Sequence, residues 1–283
     1  MNKRNVIIGA MVSALAVASC ARAGKKVYVG ANVPSAQQVS MDRIDHRPWD
    51  AILRKYVDKD GMVDYRALKA SANDSQVLER YIQSLSAANP ALKAKRESKL
   101  AYWINAYNAV TVKGILREYP TSSIRNHTAK LSGYNIWHDL QLVAGGKPYS
   151  LDDIEHKVLR KMDEPRIHFA IVCASIGCPR LLNQAYMPEQ LEQQLEINAK
   201  DFFSRPRNFQ YDESGRRFHM SAIIDWFGKD FGSSRAAQLQ RIAGWLPTES
   251  AKRAAQQNAA SVKFLEYDWK LNEQKPVART ALR

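Results

Sequence analysis

The sequence predicts an α+β domain, rich in helix and built around a small, mostly antiparallel sheet. Three observations point there. Segments with apolar residues at helical spacing dominate the chain. The short strand-like runs pair with their neighbours across turn residues, as hairpins do. No regular β-α-β alternation of the kind that builds a parallel sheet is present.

The first element is a leader, not part of the fold. Lys3 and Arg4 precede an apolar or small run from Val6 to Ser19 that is too short to span a bilayer. Residues 1–23 are therefore expected to be a signal segment of an exported, periplasmic protein. Two exits compete: Ala21-Arg22-Ala23 is a cleavage site of the A-x-A kind, while Val17-Ala18-Ser19-Cys20 resembles a lipobox, in which Cys20 carries a lipid anchor. Residues 24–45 show no sustained period and read as a tether with one short strand at Val27 to Val29.

A single domain is expected over 46–272, followed by a basic tail at 273–283. Its first helix runs from His46 to Tyr56. Asp58-Lys59-Asp60-Gly61 is a turn, and it lacks the further acidic positions of a calcium loop. Helices follow at about Gln76 to Ser86 and Lys95 to Glu118, the second stopped by Pro120. Asp139 to Leu142 and Pro148 to Ser150 flank Gly145-Gly146 as a hairpin. Ser150 with Asp153 forms an acidic capping box that opens a helix to about Met162. Arg166 to Cys173 alternates like a strand. Pro188 to Phe203 reads as a helix, Phe209 to Tyr211 with Phe218 to Met220 as a hairpin, and Ser221 to Phe231 as a helix ending at Gly232. Helices around Ala236 to Trp245 and Glu249 to Asn258 and a strand at Val262 to Trp269 complete the domain.

The net charge of +14 falls to +11 when the three charges of Lys3, Arg4 and Arg22 are subtracted. In an exported protein the anionic partners for such a charge are envelope components, not nucleic acid, and the attraction weakens with salt.

Several polar residues fall where apolar ones belong. On the wheel of the Leu151 to Met162 helix, Glu155 lies inside the face formed by Leu151, Ile154, Val158, Leu159 and Met162. A carboxylate there is costly unless paired and resists ionisation, which fits a hydrogen-bond hub or an acid/base group. His156 sits at the edge of that face, with Asp152 one turn earlier to orient its imidazole. In the long helix, Asn108 projects into the apolar arc of Leu100, Trp103, Ile104, Tyr107, Val110 and Ile115, and Asn105 borders it. Each amide either ties down a neighbouring loop or positions substrate.

Cys173 ends the expected 166–173 strand and is followed by the small-residue loop Ala174-Ser175-Ile176-Gly177-Cys178-Pro179. A thiol there, beside backbone N–H groups, suits a nucleophile. Its ordinary pKa of about 8.5 calls for an activating imidazole, for which His156 is the first choice, since His168 points to the opposite strand face. Cys178, at a helix start before Pro179, either shares the site or closes a disulfide with Cys173. The spacing lacks a second pair of zinc ligands, so no metal and no cofactor is expected.

With those residues in view, the chain resembles the domain of unknown function 547 family. The likeness lies in Leu100-Ala101-Tyr102-Trp103-Ile104-Asn105-Ala106-Tyr107-Asn108, in Ser150-Leu151-Asp152-Asp153-Ile154-Glu155-His156, and in Arg166-Ile167-His168-Phe169-Ala170 through Cys173-Ala174-Ser175 to Cys178-Pro179. Tyr267-Asp268-Trp269-Lys270-Leu271-Asn272 is similar to its terminal motif, with Lys270 where a small residue is expected. The resemblance implies the extent of the domain and its site residues, but no reaction. The residues together suggest a thiol-dependent hydrolase or acyl-transfer enzyme of the cell envelope. Cys173 would be its nucleophile, His156 its base, Asp152 or Glu155 the orienting group, and Asn105, Asn108, Ser175 and Cys178 the contacts to substrate. The alternative is a non-catalytic binding module with a Cys173 to Cys178 disulfide.

Overall fold

The computed structural model of the chain describes residues 26–129 and 133–275. The expected signal segment, Cys20 and the tail beyond residue 275 lie outside them. The α+β class is as the sequence predicts: helices at α1 (Arg47–Tyr56), α2 (Tyr65–Ala70), α3 (Ala72–Leu85) and α4 (Arg96–Glu118) precede the first hairpin. The strands form two small sheets where one was expected. In the first, β1 (Val27–Val29) runs parallel to β2 (Leu140–Ala144), which pairs antiparallel with β3 (Lys147–Ser150). Gly145 and Gly146 supply the positive φ that the β2–β3 turn needs.

The segment read as a tether is thus part of the fold. β1 adds to the sheet, Met41 is buried, and the Ala31 N–H donates to Ser86 Oγ at 2.9 Å. The strand at Val27–Val29 is the one expected, while the 3-10 turns at Ser35–Gln37 and Met41–Arg43 are too short to show a period in the sequence.

Helix α4 is the axis of the larger core, apolar on nearly every side. After the short α5 (Ile136–Asp139) and the first sheet comes the Ser150–Asp153 capping box, with Asp153 N donating to Ser150 Oγ and Ser150 N to Asp153 Oδ2. The helix it opens is wound wide, as a π-helix over Asp153–Val158, then tight as a 3-10 turn over Leu159–Met162. π-turns of this kind concentrate at functional sites.

The expected strand from Arg166 to Cys173 does not form. Pro165–Phe169 is a 3-10 turn and the chain beyond it is irregular. Buried backbone must still be paired, and side-chain amides replace a neighbouring strand. Asn108 Nδ2 donates to Ala170 O and its Oδ1 accepts from Val172 N, both at 2.9 Å, while Asn198 Nδ2 donates to Phe169 O.

A second core holds α6 (Leu191–Ser204), the hairpin of β4 (Phe209–Asp212) and β5 (Arg217–Met220), and helices α7 (Ala222–Trp226), α8 (Gly228–Phe231), α9 (Arg235–Ile242) and α10 (Glu249–Gln256). The helix expected over 221–231 is broken at Phe227. β6 (Ser261–Phe264) pairs parallel with β5, and the rest of the expected strand is extended but unpaired within a sheet. No helix among the described residues is long and apolar enough to cross a membrane.

The chain end closes the structure over the cysteine loop. Ile176 N donates to Lys270 O, Gly177 N to Asp268 O, Asn272 N to Ala174 O, and Val63 N to Asn272 O. Gly61 lies under this clasp at φ +81°, and a Cβ there would sit 2.6 Å from the Cα of Arg180. Gly61→Ala should therefore cost more than about 1 kcal/mol through strain and overlap together, which urea unfolding would measure.

Candidate functional site

A cleft of about 260 Å3 opens where the two cores meet. Tyr107 of α4 and Cys173 come from the first core, and Ile223 and Phe227 from the second. The wide turn contributes Asp152, Glu155 and His156, and the chain end adds Tyr267 and Trp269.

Its floor is a pair of free thiols. Cys173 is partly exposed and Cys178 buried, with their sulfurs 2.8 Å apart. Three further donors surround the pair: the Cys173 N–H reaches Cys178 Sγ at 3.1 Å, the Tyr267 hydroxyl donates to the same sulfur at 3.0 Å, and Ser175 Oγ stands 3.3 Å from both sulfurs. Burial alone would raise the Cys178 pKa, but hydrogen bonds from Cys173, Ser175 and Tyr267 outweigh it and hold the thiol below its usual range. Its hydrogen bond with Cys178 raises the Cys173 thiol, and burial adds to the rise. One negative charge is thus favoured on Cys178, with the Cys173 proton pointed at it. Ala174, between them, is held at φ +58°, a left-handed conformation that costs a non-glycine residue about 1 to 3 kcal/mol.

Glu155 faces the same cleft. Burial first, and then the nearby Cys178 charge, push its carboxyl up to about 7, although Tyr107 Oη donates to Oε2 at 3.4 Å. A proton on Glu155 therefore comes and goes near neutral pH.

The histidines are engaged elsewhere. His156 Nδ1 accepts from Arg160 Nη1 at 3.1 Å, and Nε2 lies 3.6 Å from Asp152 Oδ1. It lines the cleft with Cys173, but neither ring nitrogen is hydrogen-bonded to a sulfur. His168, buried and stacked on Phe227 at 4.1 Å, has its Nε2 2.8 Å from Asp230 Oδ2. Arg160 grips both oxygens of that carboxylate, at 2.6 and 2.7 Å. Burial would raise Asp230, but Arg160 and His168 together hold it well below the usual carboxylate range. This chain of ion pairs ties the wide turn to α8.

The sequence-predicted residues thus divide. Cys173, Cys178, Glu155, His156 and Asp152 line one cleft, and Ser175 supports its sulfurs. Asn105 and Asn108 stand apart. The Asn105 amide exchanges two hydrogen bonds with the Tyr186 backbone, and the Asn108 amide is spent on Ala170 and Val172. Sequence reasoning missed Tyr267, Tyr107, Arg160 and Asp230. Of these, Tyr267 and Tyr107 had a signal, each standing in a segment that carries the family resemblance, and Arg160 and Asp230 had none. No cluster of three or more His, Cys, Asp or Glu with metal-binding geometry occurs among the described residues.

No curated protein and no solved structure matches the chain. A family model described as "Protein of unknown function, DUF547" matches residues 91–203. That stretch contains α4, the wide turn and both cysteines, while Tyr267 lies beyond it. The chain carries a DUF547 family domain, with the floor of its cleft inside the matched residues.

Proposed function

We propose that the chain is an exported envelope enzyme that catalyses thiol–disulfide exchange through Cys173 and Cys178. The observation that carries the reading is the sulfur pair itself: two free thiols 2.8 Å apart in an open cleft, one of them favoured as thiolate. Cys173 is the entry nucleophile because it is the exposed member. As it attacks one sulfur of a substrate disulfide, its proton passes to Cys178, a protein–substrate S–S bond forms and the substrate S–S bond breaks. Glu155 protonates the departing thiolate. Cys178 then returns its proton to Glu155 and attacks Cys173 Sγ, which releases the second substrate thiolate and leaves a Cys173–Cys178 disulfide. The substrate has gained two electrons and the protein has lost two, and an external thiol restores the dithiol.

Hydrolysis or acyl transfer at Cys173 would need backbone N–H groups free to hold an oxyanion. In this loop those of Cys173, Ile176, Gly177 and Cys178 are already taken, by Cys178 Sγ and by the carbonyls of Lys270, Asp268 and Ser175, which leaves only those of Ala174 and Ser175 for that role. Export is supported by Lys3, Arg4 and the apolar run behind them, and anchoring by Cys20. The +11 charge suits an anionic envelope surface, and such binding should weaken with salt.

The test is turnover of bis(2-hydroxyethyl) disulfide with dithiothreitol as reductant. The wild type should turn over, Cys173→Ser should not, and Cys178→Ser should stall as a mixed disulfide on Cys173, visible by intact mass. Unchanged turnover in Cys173→Ser, or none in the reduced wild type, would sink the reading.

A further inference from the structure

Resting on the thiol-exchange reading, we infer that the cleft selects small cationic disulfides, whose S–S bond is flanked by ammonium groups. Three features of the walls carry this. The first is aromatic enclosure. Trp226 stacks on Trp269 at 5.9 Å and leans on Tyr267 at 4.9 Å, while Trp137 meets Trp269 edge-on at 6.3 Å. Ring faces carry negative electrostatic potential and attract cations within about 6 Å. Trp269 already takes one from outside the cleft, the Arg125 guanidinium at 5.2 Å.

The second feature is charge. The residues that line the cleft include the carboxyls of Asp152 and Glu155 and neither lysine nor arginine. This is a local inversion in a chain of net charge +14. The Arg160 guanidinium, 5.4 Å from the Phe227 ring behind the wall, is neutralised by its paired contact with Asp230. The lining offers an anionic disulfide neither lysine nor arginine, and sets two carboxyls against it.

The third feature is size and exposure. The cleft has a volume of about 260 Å3. That is room for a small molecule. Trp226 is 49% exposed at the mouth, a large apolar surface with no protein neighbour to cover it fully.

The exchange itself is unchanged: Cys173 Sγ bonds to one substrate sulfur, the other leaves as an aminothiol, and Cys178 displaces the second aminothiol. The protein dithiol loses two electrons to the substrate.

The experiment compares cystamine, bis(2-hydroxyethyl) disulfide and dithiodiglycolate, which are similar in length and carry positive, no and negative charge. Each rate of mixed-disulfide formation on the reduced chain is divided by the rate of the same disulfide with free N-acetylcysteine, which removes intrinsic reactivity. Cystamine should lead the neutral compound by about tenfold, the combined effect of ring and carboxylate attraction. Dithiodiglycolate should trail it. In Trp226→Ala and in Asp152→Asn the cystamine lead should shrink to a few-fold. Equal normalised rates for the three compounds would overturn the inference and leave thiol exchange standing. No reaction with any of them would overturn both.

Discussion

Asn108→Ala is expected to cost about 2 to 5 kcal/mol of folding stability, a large share of the total for a domain of ordinary stability. The amide is almost fully buried and both of its ends are committed, to Ala170 O and Val172 N. Alanine leaves a carbonyl and an N–H in the core with no partner, each costing about 1 to 3 kcal/mol, and opens a small void as well. The same segment leads directly into Cys173, so the loss should not stay local. The Cys173 N–H would move away from Cys178 Sγ, and the buried thiol should lose part of its acidity. Urea unfolding gives the first number and alkylation of Cys178 against pH the second. A variant within about 0.5 kcal/mol of wild type would contradict the account of how the loop is held.

Glu155→Gln should have an effect that depends on pH and reverses the usual expectation for deleting a site residue. The folded carboxyl titrates at about 7 and the unfolded one near its ordinary value of 4.5, so the native state binds the proton more tightly. Stability from this group is fully present below about 4.5 and is lost as pH rises through 7. Glutamine, always neutral, does not lose it. The variant should match wild type in acid and exceed it by about 1 to 3 kcal/mol at pH 8, allowing for partial exposure of the carboxyl. Exchange should fall in parallel, because the leaving thiolate loses its proton donor. Thermal melts at pH 4 and pH 8 check the sign. An identical offset at both would mean that Glu155 is not held protonated by its surroundings.

Much of this was legible in the sequence where the determining contacts are local. The Ser150–Asp153 cap, the Gly145–Gly146 hairpin and α4 each depend on residues a few positions apart. Glu155 stood out because an α-helical wheel places it on an apolar face, and the π-turn keeps it facing inward. Local pattern misleads at Arg166 to Cys173. Apolar alternation marks a segment whose faces are buried, yet its pairing partners here are Asn108 and Asn198 side chains from distant helices. The same two-residue ambiguity hid in Asn105 and Asn108: an amide in an apolar arc announces that something must be satisfied, but not what. His156 and Cys173 line one cleft, as expected, but no hydrogen bond joins them, for a similar reason. Arg160, one turn from His156, occupies its Nδ1, while Cys178 and Tyr267 reach the sulfur instead. Tyr267 lies 94 positions from Cys173, a separation no periodicity can bridge.

The central claim is that Cys173 and Cys178 form a reversible redox pair, and its most direct test is equilibration of the purified chain in a graded series of glutathione redox buffers, with acid quench and intact mass. Hydrogen bonds that stabilise the Cys178 thiolate favour the reduced form, as in strongly oxidising dithiol enzymes. A reversible redox pair should lose two hydrogens with a midpoint between about −270 and −120 mV. A pair that stays oxidised until below about −300 mV would be a structural disulfide, and one that never closes would not be a redox pair at all. Either result contradicts the account.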